Sequence, residues 1–92
     1  TGANKEDHVS MGAHAARKAR QVLRNLETVL GIELLCAAQA LEFLKPLRPG
    51  VGVERAYRLL RETVPALERD RVLAPEIATA AALVRAGAFA AL

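Results

Sequence analysis

From Ser10 to Leu44 the chain contains no proline, and apolar residues recur at helical spacing until "KPLRPG" brings in Pro46, Pro49 and Gly50. The pattern predicts one helix over residues 10–44, entered through Asp7 or Ser10 as the N-cap. At about 1.5 Å per residue such a helix is roughly 50 Å long. A compact domain of about a hundred residues has a radius of gyration of only about 13 Å. The helix is therefore too long for any core that 92 residues can build around it.

Its two halves differ. In the first, Arg17, Arg20, Gln21, Arg24 and Thr28 share one face, and Ala16, Ala19, Leu23, Leu26 and Leu30 share the other. After Thr28 the polar face ends, because Ile32, Leu35, Cys36 and Phe43 occupy the sector that the arginines held. A helix that is apolar nearly all round is buried on every side in a larger protein or in a membrane. The run is too short for a bilayer and carries Glu33 and Gln39, and no signal peptide is visible, so no membrane partner and a cytoplasmic location are expected. Glu33, set among apolar positions, needs a partner to stay charged if it is buried. The first residue is Thr1 rather than Met. Together these features lead us to expect a piece of a large multi-helix bundle.

Two shorter helices are expected within residues 53–92. One runs from about Val53 to Val64, with Ala56, Tyr57, Leu60 and Val64 as its apolar stripe, Arg55, Arg58, Arg61 and Glu62 toward solvent, and Pro65 interrupting it. The other is "PEIATAAALVRAG", with Pro75 as its first residue, Glu76 favourable near its N-terminus and Gly87 as its stop. The residues after Gly87 are expected to fray. Composition agrees with an all-α fold: 52% of residues are hydrophobic and only 3% aromatic, and alanine and leucine, both strong helix formers, dominate. Alanine-rich helices pack at short separations, but few large side chains remain to bury area in an isolated core.

Residues 1–9 read as a loop. "NKEDHVSMG" (4–12) is compatible with a helix cap, a metal site or a catalytic loop. His8 and His14 are six residues apart, not the four of two ligands on one helix face, and the single cysteine, Cys36, rules out a thiolate zinc cluster and an intrachain disulfide. No metal is expected, and Cys36 is expected to be a small buried hydrophobe. Ser10, the only serine, suits a cap better than a nucleophile. Tyr57 reads as packing. The Arg17, Lys18, Arg20, Arg24 stripe has no interleaved aromatic residues, and the net charge is only +3, so a solvated face is expected rather than a nucleic-acid site.

"EDHVSMG", "AARKARQVLRNLETVLGIELLCAAQALEFLKPL" and "DRVLAPEI" together resemble the C-terminal part of the histidine ammonia-lyases, within the aromatic amino acid ammonia-lyases, over essentially the whole chain. The resemblance implies elimination of ammonia from L-histidine to give trans-urocanate by a homotetramer with a central bundle of long helices. It also implies an electrophilic methylidene imidazolone (MIO) made from an Ala-Ser-Gly tripeptide, which does not occur in these residues. The one active-site residue it carries onto this chain is Glu6, in the substrate pocket, where phenylalanine and tyrosine ammonia-lyases have glutamine. A carboxylate accepts hydrogen bonds from an imidazole N–H or takes a proton, so Glu6 is either a substrate-binding group or a catalytic base. Lys5 departs from the family pattern of an uncharged residue. It either points away or pairs with Glu6 and favours its ionised form. Asp7 and His8 read first as loop-shaping and capping residues. The alternative is a helical oligomerisation or interaction segment without catalytic activity.

Overall fold

The computed structural model describes residues 10–92. Among them are three α-helices and no strand: α1 (Gly12–Glu42), α2 (Val51–Arg61) and α3 (Ala74–Arg85). The molecule extends 72 × 29 × 18 Å with a radius of gyration of 19.9 Å, well above that of a compact domain of this size. At about 1.5 Å per residue, the 31 residues of α1 account for roughly 46 Å of that length.

The ends of the helices have local causes. Rather than starting at residue 10, α1 starts at Gly12, with Met11 in the capping position and no side-chain cap. Ser10 sits one residue further out, and its Oγ accepts the Gly12 N–H at 3.2 Å. At the other end the helix closes at Glu42 instead of Leu44. The Phe43 and Leu44 N–H groups tighten onto Ala40 and Leu41 carbonyls three residues back, as the chain prepares for Pro46, which disfavours helical backbone in the residue before it. The second helix begins earlier than residue 53, because Gly50 is extended (φ −61°, ψ 164°) and its carbonyl accepts the Glu54 N–H. Past Arg61, residues 62–64 continue only as turns up to Pro65.

Helix α3 has Pro75 in its first turn with Glu76 beside it. It ends at Gly87, which takes φ 71°, while the Gly87 and Ala88 N–H groups bond the Val84 and Leu83 carbonyls in a Schellman arrangement. Beyond Gly87 the chain continues in turns. Ala88 and Phe89 are half-buried, and Phe89 lines a shallow groove with Leu30, Leu34 and Val84.

The core is small: Ala38, Leu60 (1% exposed), Val64 and Ala80 (0%), flanked by Leu34, Leu35, Tyr57 and Leu83. Its closest contact is between backbones. A Cβ placed on Gly31 would lie 2.9 Å from the Ala81 nitrogen and 3.3 Å from the Ala80 carbonyl carbon, so α1 and α3 meet with no room for a side chain. Polar side chains fasten the remainder. Arg85 Nε donates to Glu27 Oε2 at 2.7 Å, tying the end of α3 to α1. The Gln39 amide pairs with the Leu67 backbone in both directions, donating to its carbonyl at 3.2 Å and accepting its N–H at 2.9 Å.

Helix α2 is anchored through Glu42. The Tyr57 hydroxyl donates to Oε1, Arg61 Nε and Nη2 each donate to the same oxygen at 3.2 Å, and Lys45 Nζ lies 2.9 Å from Oε2. Arg61, expected toward solvent, therefore turns inward, its guanidinium carbon 5.2 Å from the centroid of the Tyr57 ring. The Tyr57 hydroxyl first, then Lys45 and Arg61, outweigh burial and hold the Glu42 carboxyl at about 2 instead of 4.5.

Within this chain by itself, residues 28–44 are not covered all round, as expected of a helix whose burial needs a larger protein. Only Gly31 and Ala38 of α1 are buried, whereas Val29 is 57% and Phe43 80% exposed. Cys36 is exposed rather than buried, and so is Glu33, which removes its need for a partner. Every residue from Gly12 to Leu26 is exposed. The reason is geometric: α2 and α3 are short and lie along one side of a rod that outruns them both.

Three outcomes follow from this packing. Gly31→Ala gains up to about 1 kcal/mol of helix propensity but forces a methyl into backbone, an overpacking cost of about 1–3 kcal/mol. Its urea midpoint should therefore fall, while Gly52→Ala, with nothing within 4 Å of the new methyl, should hold or raise it. For Glu42 the folded pKa lies below the ordinary value, so its stabilisation is complete above about 4.5 and is lost as pH falls toward 2. The melting-temperature gap between wild type and Glu42→Gln should be widest near neutral pH and narrow across that window; a gap independent of pH would refute the role given to the carboxylate. The chain on its own should self-associate, because α1 leaves a large apolar surface in water. A stable monomer with a cooperative melt in sedimentation and calorimetry at micromolar concentration would show otherwise.

Candidate functional site

The residue singled out by its sequence context, Glu6, lies outside the described residues, as do Lys5, Asp7 and His8. The structure describes the support onto which that stretch leads. At the entrance to α1, Ser10 Oγ takes the Gly12 N–H, and the helical ladder begins with the Ala15 N–H on the Met11 carbonyl at 2.9 Å. The first turn of α1 contains no acidic residue. His14 is exposed there, and among the described residues no group of three or more His, Cys, Asp or Glu converges as a metal site would require.

Arg17, Lys18, Arg20 and Arg24 are all exposed and take no part in the ion pairs found among the described residues. They form the open basic face expected from the spacing. No helix among the described residues is long and apolar enough to cross a membrane.

The densest polar constellation, Glu42 with Tyr57, Arg61 and Lys45, was not foreseen as a unit. No local signal could have shown it, since Glu42 and its partners on α2 are 15 and 19 residues apart and meet only through the α1–α2 turn. Its chemistry is that of a clamp. A carboxylate held at about 2 by three donors has little basicity at neutral pH, and its lone pairs are already engaged. The Glu54 carboxyl is likewise lowered, chiefly by Arg48 at 2.8 Å, with Arg58 at 3.3 Å sharing the same oxygen.

A groove of about 290 Å³ runs beside α1 between Leu35, Cys36, Val64, Leu67 and Leu73. The polar groups at its edge are already occupied. Gln39 is bound to Leu67, and Arg71 donates to Glu76 at 2.8 Å and to the Pro65 and Ala66 carbonyls. The groove therefore presents apolar wall and no free acid, base or anion cradle. Among the described residues the side chains build a scaffold.

Residues 1–62 match the aromatic amino acid lyase family. A histidine ammonia-lyase of Symbiobacterium thermophilum is 59% identical over 87 residues, which cover 95% of this chain and 17% of that protein. One from Deinococcus radiodurans is 58% identical over 77 residues, covering 84% of this chain and 14% of its own length. The crystal structure of histidine ammonia-lyase from Trypanosoma cruzi superposes with a TM-score of 0.87 at 44% identity, over 92% of this chain and 17% of that one. The chain thus spans about a sixth of the length of these relatives. With the family match extending over most of the sequence and the helices superposing on those of a solved relative, the chain belongs to the aromatic amino acid lyase family.

Proposed function

We propose that the chain is the C-terminal part of a histidine ammonia-lyase that eliminates ammonia from L-histidine, without hydrolysis, to give trans-urocanate. The observation that carries this reading is the high identity to several proteins of that name across nearly the whole chain, with Glu6 in the stretch that it matches. In this reading residues 1–9 bring Glu6 to the active site, α1 joins a central bundle, and residues 53–92 flank it. The bare apolar surface of α1 supports assembly with further helices, and a homotetramer working in the cytoplasm, with neither nucleic acid nor membrane as partner, completes the proposal.

The electrophile that such an enzyme uses, an MIO group cyclised from Ala-Ser-Gly, is not built by these residues. The single serine, Ser10, lies between Val9 and Met11. What this chain supplies is the carboxylate of Glu6, which either orients the imidazole by accepting its N–H or takes a proton during the elimination. Glutamine at that position would keep the size and the hydrogen-bonding capacity but lose charge and basicity.

In the full-length enzyme, Glu6→Gln should lower turnover of L-histidine by about a hundredfold or more, the scale of a positioned acid or base. The tetramer should stay intact. A loss confined to KM would identify Glu6 as a uniform binding group, and an equal loss in kcat and kcat/KM would identify a group acting in the transition state. Lys5→Gln, as the control, should change the rate little unless Lys5 tunes Glu6. Near-normal kcat and KM in Glu6→Gln would remove Glu6 from the active site. The 92-residue chain alone, lacking the electrophile precursor, should produce no urocanate absorbance from L-histidine. Absorbance growing with added pure chain would overturn that expectation.

A further inference from the structure

We draw no further inference here: the strongest candidate, the exposed apolar strip of α1 that includes Val22, Leu26, Val29, Cys36 and Phe43, is a surface for which nothing in the structure shows what covers it, whether the remaining length of the enzyme or a second copy of the chain.

Discussion

The arrangement depends on the absence of a side chain at Gly31. Because nothing projects from α1 at that point, the backbone of α3 at Ala80 and Ala81 comes into direct contact with it. A close approach of two backbones gathers many weak dispersion contacts at once, which is how a chain with few aromatic residues obtains dense packing. The neighbouring core residues are equally modest: Ala38 and Ala80 are buried at the same seam. With α3 seated there, Arg85 reaches Glu27, and Phe89 lines one groove with Leu30 and Leu34. These later contacts refine a position that the glycine makes possible.

The segment between α2 and α3 carries no helical ladder, so its backbone groups need other partners. Side chains supply several of them. Gln39 stands in for a neighbouring strand at Leu67, Arg71 collects the Pro65 and Ala66 carbonyls, and Arg61 takes that of Val64. Arginine suits the task because its planar fork reaches a carboxylate and carbonyls together. Arg61 shows this directly, joining Glu42 on α1 to the end of α2 while lying against the Tyr57 ring.

The rest of the chain supports only part of α1. Helix α1 is 31 residues long, and its contacts with α3 include those at Glu27 and Gly31, while residues 12–26 are exposed. The carboxylates of Glu27, Glu42, Glu54 and Glu76 are committed to arginine or lysine partners, and those of Glu42 and Glu54 are lowered in pKa by them.

Helical period alone determined the all-α class, the single long helix and the two short ones, because the spacing of apolar residues and the positions of Pro46, Pro65, Pro75 and Gly87 act over a few residues and need no tertiary partner. The stripe of Leu60 and Val64 was legible for the same reason, and the motif around Glu6 was legible as a word of sequence. The inward turn of Arg61, the role of Glu42 and Gln39, and the exposure of Cys36 were not. Each depends on which surface meets which across 15 or more residues, and periodicity reports only that a face is apolar, not what stands opposite. Gly31 is the clearest case. In sequence it is a weak point in a helix, and only the placement of Ala80 and Ala81 against it makes it the contact that no other residue could provide.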